Sequence, residues 1–315
     1  VVPFVSSPYL LYVINLTGIT AIGALGLNIL IGFTGQISLG HGAFIGVGAY
    51  GAAILATSWN LPLFVSIPMA GILTAAVGMI FGVPSVRLKG LYLAIATLAG
   101  QFIIEYVLIQ WEGLTQGTQG IVLPEPSLFG LSISGDRAFF FLIFGLVVLM
   151  TWMAKNLFRT RSGRAFMAIR DNDRAAEGMG IPIFPYKLLA FGISSFYAGI
   201  AGALWAYYTM SITPEPFNLD LSIEYIAMVI IGGLGSITGS IFGAVFISAL
   251  NEILRSLSDI LTNLPALQGV DLNPAALRQF VFGLAIVLFI LFEPKGLAEV
   301  WRVIRSSFRL WPFSY

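Results

Sequence analysis

Two side chains in this sequence could handle a proton from within apolar surroundings: Glu105, in LYLAIATLAGQFIIEYVLIQ, and His41, the single histidine. An ionised carboxylate in hydrocarbon costs roughly 3 kcal/mol or more unless it faces a bundle interior or water. Glu105 is therefore either a group lining a pathway or, six residues before Trp111, an interfacial carboxylate near a rim. His41 is a ligand contact or gate, or a hydrogen-bonding packing residue. Gln36, Ser38, Gln101 and Asn28 offer neutral hydrogen-bonding groups to a polar solute, or bonds between helices. Gln101 and Glu105, four apart, share one helical face. Gly232, Gly233, Gly235 and Gly239 look superficially like a phosphate loop, but no lysine follows and no GK[ST] tripeptide occurs. HExxH, GxSxG and carboxylate clusters are missing too, and there is no cysteine, so catalysis by this chain alone is not expected, nor a metal or cofactor of its own.

A second kind of chemistry is suggested by a polar island, RTRSGRAFMAIRDNDRAAEGMGIPIFPYK, residues 159 to 187. Asn172 is a plausible N-cap, Asp173 to Met179 make two helical turns, Gly180 suits the residue beyond the C-cap, and Pro182 stops the helix. Such a helix is only about 10 to 12 Å long and needs a surface to lie on. Ala175, Ala176 and Met179 offer a small apolar face that a second protein could cover, with Arg170, Asp171 and Arg174 at its rim. The island reads as a docking element for a soluble partner. Its arginines also have a plainer explanation, since loops on the inner side of a membrane are generally cationic.

What must position these groups is a membrane bundle. Hydrophobic residues make up 57% of 315 and charged residues only 10%, against about 25% charged in soluble domains. A net charge of +1 points to neither nucleic acid nor an acidic substrate. No lysine or arginine precedes Arg87, so the cationic start of a cleavable signal is missing, and a further segment could precede Val1. Apolar runs over 9–31, 61–83, 91–111, 138–157 and 188–210 are each long enough to cross ~30 Å of hydrocarbon. GFTGQISLGHGAFIGVGAYGAAILA, from Gly32, reads as an irregular entry to a tightly packed helix, with Ser38, Gly42 and Gly46 at helix-contact spacing. Ser195, Gly199 and Ala203 repeat that spacing. A run from Glu224 is broken by GGLGSITGS, residues 251 to 277 suggest a short surface helix, and a last span begins near Gln279. The tail, 295 to 315, sets Lys295, Arg302, Arg305 and Arg309 among Trp301, Trp311 and Phe313, which suits an interfacial anchor. About eight to ten crossings are expected.

Basic residues in short loops set the orientation. Arg87, Lys89, Lys155, the island and the tail all fall on the cytoplasmic side, leaving Arg137, Arg255 and Arg278 outside. The stretch between 222 and the last span must then cross an even number of times, or dip in and return. A re-entrant break at Gly232 to Gly239 satisfies this, and irregular backbone at membrane depth is expected to line a central path.

RAAEGMG, from Arg174 to Gly180, resembles the EAA-xxx-G motif of ABC importer permeases, the cytoplasmic helix that sits on the ATP-hydrolysing subunit. Ala175, Ala176 and Gly180 match, while Arg174 stands at the glutamate position. With ALGLNILIGFTGQISLGHGAFIGVGAY, GRAFMAIRDNDRAAEGMGI, YKLLAFGISSFYAGIAGALWA and AMVIIGGLGSITGSIFGA, nearly the whole chain is similar to the branched-chain amino-acid ABC transporter permease family of the LivM type. The resemblance implies an all-α, polytopic transmembrane bundle, one permease domain over 1–315, in a bacterial-type inner membrane. It implies a homologous second permease subunit, two cytoplasmic ATPases that bind the ATP and Mg, and an external solute-binding protein. Arg170, Asp171, Asn172, Asp173, Arg174, Ala175, Ala176, Glu177 and Gly180 would carry the coupling, and the solute would be a neutral amino acid, or urea or a short amide. Gln36, Ser38, His41, Gln101, Glu105, Gly232, Gly233 and Gly235 are the candidate path residues. A proton-coupled secondary transporter using Glu105 and a membrane scaffold without flux are the competing classes.

Overall fold

Helices that are apolar all the way round belong in the middle of a bundle, and two such 27-residue helices, α1 (Pro8–Thr34) and α8 (Ile183–Thr209), form the centre here. The computed structural model describes residues 3, 7–128, 131–132, 135–262, 274–292 and 296–310. Between and after these two lie α2 (His41–Thr57), α3 (Leu63–Gly82), α4 (Leu91–Gln110), α5 (Asp136–Leu157), α6 (Arg161–Asp171) and α7 (Asp173–Gly178), then α9 (Leu219–Gly232), α10 (Ile237–Thr262), α11 (Pro274–Phe292) and α12 (Leu297–Leu310). Among the described residues, α1, α3, α4, α5, α8 and the Ile237–Ser256 part of α10 are long and apolar enough to cross a membrane.

Glycine lets α8 sit against α2 and α3 at backbone distance. A Cβ on Gly202 would lie 1.9 Å from the Ile45 carbonyl oxygen, one on Gly48 2.4 Å from Gly199 Cα, and one on Gly199 2.9 Å from Gly71 Cα. These are contacts that no side chain could share, and dispersion between close backbones is what holds helices together where lipid removes the hydrophobic drive. The small-residue spacing at Gly199 is thus used as the sequence suggests. Gly26 lets Tyr197 pack onto α1 in the same way.

The bundle has a basic end and an opposite end. At the basic end lie the last turn of α1, α6, α7, the start of α4 and α12: Arg170 reaches Gly32, Lys89 pairs with Asp173, and Gly296 abuts Gly233. At the other end Asn15 bonds the Asp136 carbonyl, the Tyr208 hydroxyl donates to Asp136, and Ile121–Val122 pairs antiparallel with Ser211–Ile212.

Two helices start halfway. His41 at the head of α2 touches the carbonyl of Gly23, near the middle of α1, so residues 35–40 climb from the basic end to mid-bundle before α2 begins. α9 starts at the same depth, where Asn218 and Ser222 meet Gly42, and its 14 residues, about 21 Å, carry it to the basic end. There the chain reverses over 233–236 and α10 runs back against α9, with a Cβ on Gly243 only 1.8 Å from the Met228 carbonyl oxygen. The glycine break is therefore a hairpin turn at the basic end, against Gly32 two residues before α1 ends, and not an element at mid-depth. A central position was the wrong inference because apolarity on both sides of a break does not tell a short helix from a full crossing. α10 also continues unbroken to Thr262, where the sequence suggests a separate surface helix from residue 251. Residues 263–273, Lys295, Trp311 and Phe313 lie outside the described residues.

Candidate functional site

The two half-helix starts are tied by one side chain. Gln101 is fully buried; its Oε1 accepts from the Ala43 N–H at 2.8 Å and the Ser222 hydroxyl at 3.1 Å, and its amide donates to the Phe217 carbonyl at 2.8 Å. The Gly42 N–H donates to Ser222 Oγ at 2.8 Å, and Asn218 caps α9 through the Leu221 N–H. These are N-terminal amides that their own helices leave without partners. His41 points its Nε2 at the Gly23 carbonyl, 3.0 Å away, with its ring edge on Tyr225, and Ser38 Oγ accepts from the Gly40 N–H at 3.4 Å. Gln101 and His41 make bonds between helices, the reading that stands beside the solute one, and Ser38 bonds within its own loop. Glu105 is half-buried one turn further along α4, with no hydrogen bond or ion pair to the described residues.

At the basic end Asn28 performs the same service for the glycine hairpin. Its Oδ1 accepts from the Gly235 N–H at 2.9 Å, and its amide donates to Ser240 Oγ at 2.7 Å and the Ser236 carbonyl at 2.8 Å. Gly233 and Gly235 take φ of 118° and 77°, which only glycine adopts without strain. Gly232 packs directly on Gly239. Gly233, Leu234 and Ser236 border a 490 Å³ cavity with Arg170, Glu299 and Arg302.

The island folds as two helices. Thr160 caps α6 through the Gly163 N–H, and Phe166 and Ile169 turn inward; their three-residue spacing was the available signal for this helix. Arg170 extends from its end and donates to the Gly32 carbonyl at 2.5 Å, a cation on the negative end of α1, with Gly235 beside it. α7 follows as the sequence predicts. Asn172 Oδ1 accepts from the Ala175 N–H at 3.1 Å, Gly180 takes φ 82°, and the Gly180 and Ile181 amides close back on the carbonyls of Glu177 and Ala176. One expectation is corrected: Ala176 is buried against this chain and offers nothing to a partner. Arg174, Ala175, Glu177 and Met179 remain exposed, Met179 at 82%.

Asp173 fastens α7 to the bundle by pairing with Lys89, and with the buried Lys187 at 3.9 Å. The Lys89 hydrogen bond holds its carboxyl below the ordinary 3.8, against the opposing effect of partial burial. A depressed folded value means that the stabilisation is complete well above 3.8 and is lost as pH falls through the folded value. Amide protection in 173–181, the exchange rate relative to that of an unstructured amide at the same pH, should accordingly hold from pH 7 to pH 5 and be lost only below about 4. Protection already lost at pH 5 would contradict this pairing. The sequence reading took Lys89 and Lys187 only as inner-side cations; their pairing with Asp173 is made by the fold.

Long apolar helices, packed closely and tied at polar nodes, define a multi-pass membrane component. The chain belongs to the family described as branched-chain amino acid transport system, permease component, whose pattern matches residues 9–290. It is a permease of the ABC transporter class. It is 32% identical over 324 residues to the high-affinity branched-chain amino acid transport system permease protein LivM of Escherichia coli K12, covering 95% of this chain and 72% of that one. A probable LivM of Methanocaldococcus jannaschii is 28% identical over 240 residues, 75% of this chain and 68% of that one. The autoinducer 2 import system permease protein LsrC of Enterobacter sp. 638 is 28% identical over 250 residues, 75% and 67%. No solved structure matches.

Proposed function

We propose that this chain is the permease subunit that moves branched-chain or other neutral amino acids inward, driven by ATP hydrolysed on separate subunits. The observation that carries the coupling is α7: a helix capped at both ends, pinned by Ala176 and Asp173, with Ala175, Glu177 and Met179 left exposed. The basic end is then cytoplasmic, by its excess of lysine and arginine. Its partners are two ATPases that bind ATP and Mg, a homologous second permease, an external solute-binding protein and the surrounding lipid. Closure of the ATPases would displace α7 and, through Arg170, both the close of α1 and the glycine hairpin. That would shift α9 relative to α2 and change the side on which the path opens. The amino-acid substrate is favoured by the LivM relatives, and the LsrC relatives make autoinducer 2 the second candidate.

Vesicles containing the whole assembly provide the test. Leucine uptake should fall at least tenfold when the ATPases are left out; undiminished uptake would end this account. Ala175→Trp should lower uptake about tenfold at unchanged thermal stability, because exposed substitutions typically shift stability by no more than about 0.5 kcal/mol. Glu105→Gln should change uptake less than twofold, whereas loss of uptake together with its proton dependence would favour a secondary transporter.

A further inference from the structure

The basic tail is a motif that the transport reading leaves unused. Its helix, α12, carries three arginines against one glutamate. Leu297, Val300, Trp301 and Ile304 follow one another along an apolar stripe, and Glu299, Arg302 and Arg305 lie off it. Leu297 is buried and Gly296, at φ 76°, abuts Gly233, so the helix starts on the glycine hairpin. Trp301 then sets its ring against Phe242, with centroids 5.9 Å apart. Phe242 lies in the second turn of α10, about 8 Å inward from its basic start and within the part apolar enough to cross a membrane. α12 is therefore laid along the flank of the bundle, where hydrocarbon gives way to headgroups, and not beyond its end, where a soluble subunit would sit. Trp301, Val303 and Ile304 remain 53%, 54% and 43% exposed there, beside the exposed Arg302 and Arg305. Arg302 is paired with Glu299, but a surface pair whose arginine is 76% exposed is weak and leaves the helix cationic. An aromatic and aliphatic edge bordered by arginines at that depth fits acyl chains on one side and anionic headgroups on the other.

We propose that α12 is a membrane-surface helix that binds anionic phospholipid, and that this binding restrains the glycine hairpin and slows transport. Trp301 and Ile304 enter the acyl boundary, and Arg302 and Arg305 meet lipid phosphates. Glu299 and Arg302 form one side of the 490 Å³ cavity whose other side is Arg170, Gly233, Leu234 and Ser236. A helix fixed to lipid thus holds one wall of that cavity and, through Gly296, the turn itself, while displacement of α7 pushes the same turn through Arg170. The effect on rate rests on the transport reading above; the lipid contact does not.

The contact is read on the whole assembly in vesicles of phosphatidylcholine, alone or with phosphatidylglycerol up to about 30%. Val303→Cys carrying an environment-sensitive fluorophore is the reporter, since the chain has no cysteine of its own, and the parent assembly treated alike gives the blank. Its emission should move to the blue as phosphatidylglycerol rises and revert in about 0.5 M salt. With Arg302→Gln and Arg305→Gln together, the phosphatidylglycerol needed for half of that shift should rise about fivefold or more, the worth of one basic side chain near an anionic surface. Emission that is the same in both lipids overturns the site. So does emission that answers to the ATPases and not to lipid, which would make α12 a protein-docking helix. Leucine uptake into vesicles with ATP inside then tests the restraint: phosphatidylglycerol should slow the parent severalfold but not the double arginine variant, each compared with its own phosphatidylcholine vesicles. Equal slowing in both, or none in the parent, overturns the restraint. Absence of uptake in phosphatidylcholine as well would instead refute the transport reading and leave the fluorescence comparison standing.

Discussion

Asn28→Leu is expected to melt the glycine hairpin. The leucine fills nearly the same volume but removes the acceptor of the Gly235 N–H and the donor shared by Ser236 and Ser240. The Ser236 carbonyl keeps the Ser240 amide, so the main loss is the Gly235 N–H, orphaned in a turn that packs on Gly32. With a buried orphan at about 1–3 kcal/mol and each lost hydrogen bond at about 1 kcal/mol, the total is roughly 3–4 kcal/mol, a large part of a typical stability. The consequence reaches function because the hairpin fixes where α9 ends and α10 begins, and Arg170 lies against it. Solubilised Asn28→Leu should show a lower Tm, and amide exchange should rise first in 233–240 and not in α3 or α4. A Tm equal to that of the parent, with unchanged exchange there, would show that the hairpin is held by its glycine contacts alone.

The second large effect falls on Gln101→Leu. Three groups lose their partner at once, the Ala43 amide, the Phe217 carbonyl and the Ser222 hydroxyl, and Ser222, which holds the Gly42 amide, loses its anchor. The Ala43 amide at the start of α2 and the Phe217 carbonyl before α9 would face each other at mid-bundle unsatisfied, with no water to replace the lost bonds. Gln101→Glu is the informative companion, since it keeps the acceptor for Ala43 and Ser222 but cannot donate to Phe217 when ionised. Gln101→Leu should fail to accumulate as folded protein, and Gln101→Glu should accumulate yet be markedly less stable. If both variants reach parental levels and parental Tm, the node does not hold α2 and α9 together, and the route from α7 to mid-bundle loses its last link.

Much of this was legible from residue types. α7 could be read to within one residue, ending at Gly178 rather than Met179, because Asn172, Gly180 and Pro182 act through local backbone geometry that needs no neighbour. The spans were legible for a similar reason, as hydrocarbon tolerates only long apolar helices. Lys89, Lys187 and Ser222 left no local signal: each is defined by a partner far away in sequence. Ala176 shows the limit on one short helix, since its pattern reveals that a face is apolar but not whether bundle or partner covers it.

The amino-acid order by itself determined a polytopic helical membrane protein, a breakpoint at Gly232 to Gly239 and a capped helix in a basic loop. These follow from hydrophobic run length, glycine's backbone freedom and cap chemistry, all of them short-range. Only the tertiary structure decided that α2 and α9 are half-helices meeting at Gln101, that the glycine hairpin lies at the basic end under Arg170, and that Lys89 and Lys187 converge on Asp173. Depth within a bundle is set by which backbone groups find partners across it, and one strand of sequence does not contain that information.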